Sequence, residues 1–68
     1  MNAAERTADR ISLYAPGAVC VTRENWIYNT GRKGQVWRIW SGFAGATVHG
    51  ETLKEAEERM MDVLKEEE

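Results

Sequence analysis

The C-terminal segment constrains the fold most, because it encodes one amphipathic helix with a defined start. Gly50 ends a strand, Thr52 stands at the N-cap position, and Glu55 follows three residues later, which is the pattern of a capping box. Apolar side chains then recur at helical spacing and form one stripe, which consists of Leu53, Ala56, Met60, Val63 and Leu64, with Met61 at its edge. Such a stripe is stable only against an apolar surface, which the rest of the chain must supply.

The N-terminal residues predict a second helix over residues 2–15. Asn2 and Glu5 have the spacing of a cap, and Pro16-Gly17 ends the segment. Its apolar face is shallow, and we expect it to dock on the sheet or on a second subunit; the face consists of Ala4, Ala8, Ile11 and Ala15. Residues 11–15 also alternate as a strand would, so helix and strand stay open there.

Three strands are predicted between the helices, since this region is rich in β-branched and aromatic residues. They cover residues 18–29, 35–41 and 44–49. A bulge or bend is expected at Glu24-Asn25, and residues 30–34 form a turn in which Gly31 and Gly34 can adopt positive φ. In the second strand one face carries Val36, Arg38 and Trp40, and the other carries Trp37 and Ile39.

These elements predict a single α+β domain over residues 1–68. Its architecture is a three-stranded antiparallel β-meander packed by the C-terminal helix, with the N-terminal helix added, in the order α-β-β-β-α. A chain of 68 residues can bury only a modest core. Self-association would bury more surface, so we expect a homodimer.

Several classes of protein are disfavoured by the sequence. Residues 1–12 carry charges of both signs and no apolar segment, so a signal peptide is not expected. No apolar run approaches the roughly 18 residues of a membrane helix. Cys20 is the sole cysteine and cannot form an internal disulfide, which favours a reducing compartment. We therefore expect a cytoplasmic protein with no membrane association.

Catalytic and metal-binding patterns are also missing. His49 is the single histidine, and no carboxylates are paired by a recognisable motif. A metal site needs several converging ligands, and nucleophilic catalysis needs a nucleophile beside a base. We expect His49 to be a strand-end residue and Cys20 a small buried hydrophobe. The prediction is a protein that is not an enzyme and binds no cofactor and no metal.

The aromatic residues of the strands favour binding to another macromolecule. Helices can cover only one face of a three-stranded sheet, so part of this aromatic surface should stay open for a protein partner or a second subunit. The residues predicted to bind the partner are Trp26, Tyr28, Trp37, Arg38 and Trp40. These residue types dominate the energetics of protein interfaces.

Nucleic-acid binding is the alternative prediction, because basic residues are interleaved with the aromatics. Residues 1–50 have a net charge of +3 and residues 51–68 a net charge of −5, so a basic sheet would be backed by an acidic helix. The possible nucleic-acid contacts are Arg23, Arg32 and Lys33. The overall charge of −2 and the few basic residues on the strands stand against this alternative.

The segment from Gly45 to Ala56, GATVHGETLKEA, resembles the N-terminal domain of HicB-type antitoxins. In that family a loop glycine, a strand and a Gly-acid-Thr-Leu-x-Glu-Ala helix entrance follow one another, and the likeness extends over residues 34–64. The chain departs from the family pattern at Ala44, where proline is common, by one extra residue before Gly45, and by its N-terminal helix. The resemblance implies a non-catalytic, dimerising module of the antitoxin or mobile-element (phage) type that binds and inhibits a partner protein.

Overall fold

Two helices pack on one face of a three-stranded antiparallel sheet in a computed structural model that describes residues 2–66. The elements are α1 (Ala3–Ser12), β1 (Val19–Ile27), β2 (Lys33–Ser41), β3 (Ala46–Gly50) and α2 (Leu53–Glu66). The sheet order is β1-β2-β3, so each strand pairs with its neighbour in sequence. The predicted α+β meander and its element order are confirmed.

The hairpin between β1 and β2 differs from its prediction in two ways. The ladder runs without interruption from the pair Val19–Ser41 to the pair Ile27–Lys33, so the bulge expected at Glu24-Asn25 is wrong. The turn also ends earlier than predicted, because Gly31 alone adopts positive φ (84°) and Gly34 belongs to β2. A Cβ on Gly34 would lie 3.3 Å from a ring carbon of Tyr28, so glycine here makes room for that ring.

The core lies between the sheet and the two helices. Its buried apolar residues are Ile11, Ala15, Ile39, Ala56, Met60 and Leu64. The α2 stripe is therefore largely confirmed, and Met61 is half-buried at its edge as expected. Leu53 and Val63 are also only half-buried, because they lie at the margins of the stripe and not at its centre.

Helix α1 is shorter than the predicted range. Asn2 Oδ1 accepts a hydrogen bond from the Glu5 N–H (2.8 Å), which confirms the cap, but the helix ends at Ser12 and residues 13–15 form a turn. Residues 11–15 are thus not a strand. Ile11 and Ala15 reach the core, and the face predicted around them extends to Ala4 and Ala8, which are only half-buried.

An ion pair between described residues joins the two helices. The Arg10 guanidinium donates to both carboxylate oxygens of Glu57, at 2.6 and 2.9 Å. The hydrogen bond from Arg10, with its charge and a contact from Thr7 adding less, holds the pKa of Glu57 below its usual value against the effect of burial. Neither described helix is long and apolar enough to cross a membrane.

The junction between β3 and α2 has a tight geometry. A Cβ on Gly50 would lie 2.5 Å from the Ala56 nitrogen, so the first turn of α2 passes directly over this glycine. Thr52 Oγ1 accepts a hydrogen bond from the Glu55 N–H (3.1 Å), which confirms Thr52 as the N-cap. The Glu55 carboxylate pairs with Arg59 at 2.6 Å, one helical turn later.

Candidate functional site

The sheet face opposite the helices, which we call the open face, is the candidate functional site. Side chains alternate between the faces of a strand, and residues paired across strands share a face. Because Val21, Ile39 and Val48 are paired with one another on the helix side, the residues next to them belong to the open face. These residues are Cys20, Thr22, Glu24, Trp26, Val36, Arg38, Trp40, Thr47 and His49.

A small charge cluster occupies the middle of the open face. Glu24 Oε1 lies 3.5 Å from Arg38 Nε, and Glu24 Oε2 lies 3.7 Å from His49 Nε2. The three side chains come from three different strands and are each a little over one-third exposed. Ion pairs this exposed contribute little to stability. The Glu24 carboxylate beside Arg38 offsets part of the positive charge of the guanidinium.

An aromatic group covers one end of the open face. The ring of Trp26 lies 5.1 Å from the ring of His49 between centroids, tilted by 52°. Together with Tyr28 these rings line a shallow depression of about 220 Å³ whose floor includes Val36. Val36 is only 6% exposed although no helix covers its face. The aromatic rings therefore shield the sheet here, and Trp26 itself remains 39% exposed.

Trp40 lies at the other end of the open face. It pairs with Cys20, whereas Trp26 pairs with Gly34 at the far end of the same ladder. A Cβ on Gly42 would lie 3.1 Å from the six-membered ring of Trp40, so the indole lies along the start of the β2–β3 loop. The charge cluster thus has an indole on each side.

Trp37 is the one predicted partner-binding residue that the structure removes from this group. It points to the helix side with Ile39 and packs at the edge of the core, half-buried. The Arg23 guanidinium lies 5.4 Å from its ring centroid, a cation–π distance. The other four predicted residues (Trp26, Tyr28, Arg38 and Trp40) line the open face or the depression at its end.

The basic residues predicted to contact nucleic acid do not form one surface. Arg23 and Lys33 alternate with the open-face residues and so belong to the helix side of the sheet. Arg32 lies in the hairpin loop with its guanidinium 5.8 Å from the ring centroid of Tyr28. Among the described strand residues, Arg38 is the one that brings positive charge to the open face, and Glu24 lies beside it.

The chemistry of the face is limited. Within residues 2–66 no group of three His, Cys, Asp or Glu side chains is placed to hold a metal ion. Cys20 is exposed on β1, so its predicted burial is wrong: an even-numbered residue of this strand faces away from the helices. Among the described hydrogen bonds, none joins the His49 ring to a hydroxyl or thiol, and the charged side chain described next to its Nε2 is Glu24.

Sequence reasoning did not assign Glu24 and His49 to this site. Glu24 lies two residues before Trp26 in β1, so strand alternation places both side chains on the same face. The bulge predicted at Glu24-Asn25 interrupts that alternation and hides the signal. His49 reaches the face only through the β2–β3 register, which pairs it with Arg38. That register is a tertiary property that strand composition does not determine.

The fold and its open face define a small α+β domain with an uncovered, aromatic sheet surface. No protein-family model matches the chain, and no curated protein or solved structure is significantly similar to it. The open face is therefore the feature of the molecule from which a function is inferred.

Proposed function

We propose that this chain is a small, non-catalytic protein-binding module that recognises a partner protein through its open face and inhibits it. One observation carries the proposal: both helices pack on the same side of the sheet, which leaves Trp26 and Trp40 on the uncovered side. An uncovered sheet face bearing large aromatic residues is the kind of surface that mediates protein contacts.

The arrangement of residues on the face fits an interface. Trp26 and Trp40 are separated by polar groups that accept and donate hydrogen bonds, namely Glu24, Arg38 and His49. Interfaces commonly combine a few aromatic anchors with an arginine and neighbouring polar groups. Because charges of both signs lie together at the centre, the face favours a partner surface that is apolar with a few polar groups over one that is strongly charged.

The inhibitory role rests on the resemblance of the segment Gly45–Ala56 to HicB-type antitoxins. An inhibitor of this kind acts by covering a surface of its partner, and it needs no catalytic group of its own.

Site-specific photo-cross-linking in the native host tests the proposal. A photoreactive amino acid replaces Trp40 in one variant and Leu13, which is 79% exposed on the turn after α1, in a matched control. We expect a discrete host protein to be cross-linked from position 40 and not from position 13. Identical adducts from both positions, or none from position 40, would contradict a partner site on the open face.

The identified partner then allows two quantitative measurements. Trp26→Ala should weaken its affinity about tenfold or more, because aromatic anchors contribute most of the binding energy, while Leu13→Ala leaves it unchanged. Adding one equivalent of the chain should suppress the partner's activity. Binding without loss of the partner's activity would support the protein-binding module and reject the inhibitory role.

Nucleic-acid binding is the second candidate, favoured by the stacking of Arg32 on Tyr28 beside an aromatic face. Its test is titration with fluorescent single- and double-stranded oligonucleotides at low salt. Binding that weakens steeply with salt, and that Arg32→Ala and Arg38→Ala each reduce, would favour this candidate. Absence of binding at low salt would reject it.

A further inference from the structure

The two edges of the sheet differ in how well they are protected. At the β3 edge the strand has only five residues, and the Arg59 guanidinium donates to the outward carbonyl of His49. At the β1 edge the strand has nine residues, and no described hydrogen bond reaches its outer backbone groups from residues 2–66. A long uncovered edge is a template for pairing with another strand.

The hydrogen bonds of the hairpin identify the outward groups of β1. The Gly42 N–H donates to the Ala18 carbonyl, and the Tyr28 N–H donates to the Arg32 carbonyl, so even-numbered residues of this strand bond to β2. In an antiparallel ladder the groups alternate, so the odd-numbered residues turn their N–H and C=O groups to the open edge. These residues are Val19, Val21, Arg23, Asn25 and Ile27.

The two ends of this edge differ, since one carries an exposed apolar side chain and the other a cleft lined by apolar residues. Ile27, at the end of β1, is on the helix side of the sheet yet 70% exposed, since neither helix extends over it. At the start of β1, a cleft of about 340 Å³ separates the strand from α1. Its apolar lining consists of Ala4, Ala8, Val19 and Val21, with Asn2, Glu5 and Cys20 at its margin.

We propose that a second copy of this chain occupies the β1 edge, with the two β1 strands antiparallel about a two-fold axis at Arg23. This register pairs Val19 of one copy with Ile27 of the other, on the helix side in both. Each exposed Ile27 then enters the cleft beside α1 of the other copy. The contact is self-complementary, as a two-fold interface requires, and it joins the sheets into one of six strands.

The position of Arg23 is compatible with this axis. Two arginines meet there, and like charges directly opposite one another are unfavourable. In each copy, however, the guanidinium lies over the ring of Trp37, which belongs to β2. The positive charge of Arg23 therefore lies over β2 of its own sheet and away from the other copy.

The dimer goes beyond the proposed function and does not depend on it. A two-fold axis perpendicular to the sheet leaves both open faces on the same side, so Trp26 and Trp40 of each copy stay accessible. Variants of the β1 edge should therefore change the association state, and variants of the open face should change partner binding. The two proposals can fail separately.

Sedimentation equilibrium of the full chain with matched variants tests the dimer. Ile27→Asp should raise the dimer dissociation constant about a hundredfold or more, because two buried charges would meet the clefts. Leu13→Asp introduces the same charge at a similarly exposed apolar side chain off the β1 edge and should leave the constant within about twofold. A monomer at millimolar concentration, or equal effects of both variants, would overturn the proposal.

Cysteine cross-linking tests the register of the two β1 strands directly, because it does not depend on a variant that weakens the dimer. In a Cys20→Ser background, Arg23→Cys places two thiols at a hydrogen-bonded antiparallel pair, whose Cα separation of about 5.5 Å suits a disulfide. Mild oxidation should give a covalent dimer from this variant and little from Thr47→Cys, which lies on the β3 edge. Equal cross-linking from both positions would contradict pairing through β1.

Discussion

At the scale of single residues, Gly50 shows how strictly the chain reversal before α2 is specified. It is buried, and a Cβ there would meet three atoms of Ala56 at 2.5 to 3.1 Å. Gly45, five residues earlier, is needed for a different reason: its φ is +63°, and a Cβ there would meet nothing within 4 Å. Gly50 permits the close approach of α2, and Gly45 permits a left-handed backbone conformation.

Gly50→Ala should therefore destabilise the fold more than Gly45→Ala. The clash at Gly50 involves backbone atoms that cannot move without displacing α2, so we expect a loss of about 2–4 kcal/mol in the free energy of unfolding. For Gly45→Ala the strain of a left-handed alanine should cost about 1–2 kcal/mol. Urea unfolding of both variants measures the difference, and equal losses would contradict the close approach of α2.

At the scale of secondary-structure elements, the helices are held by different means. Helix α2 contributes Ala56, Met60 and Leu64 to the core. Helix α1 contributes Ile11, and its link to α2 includes the two hydrogen bonds between Arg10 and Glu57. The docking of α1 consequently depends more on polar contacts than the docking of α2 does.

The docking of α1 should weaken at acidic pH. Glu57 has a lowered pKa in the folded state, so its ionised form stabilises the fold above its ordinary pKa of about 4.5, and this contribution is lost as the pH falls through the folded-state value. Arg10 stays charged throughout, since its pKa is raised by the hydrogen bond to Glu57. Unfolding experiments between pH 6 and pH 3 should show a smaller acid-induced loss for Glu57→Gln than for the wild type.

Glu58→Gln is the control for this experiment, because it removes a carboxylate from the next, exposed position of α2. Its pH dependence should follow that of the wild type more closely. If both variants show the same profile, the ion pair is not what couples α1 to the acid response.

At the scale of the whole molecule, the core is small for the surface it supports. Within residues 2–66, six buried apolar residues form the core, and the largest that are fully buried are Ile11, Ile39 and Met60. Leu13, Tyr14, Ile27 and Phe43 remain well exposed. A molecule of this kind gains stability from any association that covers such side chains.

Met60→Ala should lower the thermal stability of the protein strongly. Met60 is fully buried, and truncating such a residue costs about 2–5 kcal/mol, which is comparable to the total expected for a chain of this length, roughly 3–10 kcal/mol. Leu13→Ala, at an exposed site, should change stability by less than about 0.5 kcal/mol. Thermal unfolding followed by circular dichroism compares the two, and a cooperative wild-type transition in Met60→Ala would contradict a single small core.

The local elements of the fold could be predicted well because their signals are local. The caps at Asn2 and Thr52 and the stripe through Met60 depend on residues three or four apart, and each is present in the structure. The hairpin was less predictable, since both Gly31 and Gly34 can adopt positive φ. A turn over residues 30–34 makes β2 begin at Gln35, two residues after its observed start at Lys33. The residues of β1 and β2 that lie opposite one another then differ from those in the structure.

The candidate site was predicted in part for the same reason. Alternation along β2 places Arg38 and Trp40 on one face, and the structure agrees. Alternation does not say which face the helices cover, so Trp37 was grouped with the residues of the open face although it packs at the core edge. The pairing of Glu24 with His49 spans three strands and depends on two registers at once.

The sequence alone therefore determined the element order and the amphipathic stripe of α2, because these follow from the period of a helix or strand and from capping residues close in the chain. Only the tertiary structure decided the registers, the covered face of the sheet and the exposed β1 edge. These depend on contacts between residues distant in sequence, where a shift of one residue exchanges the two faces of a strand.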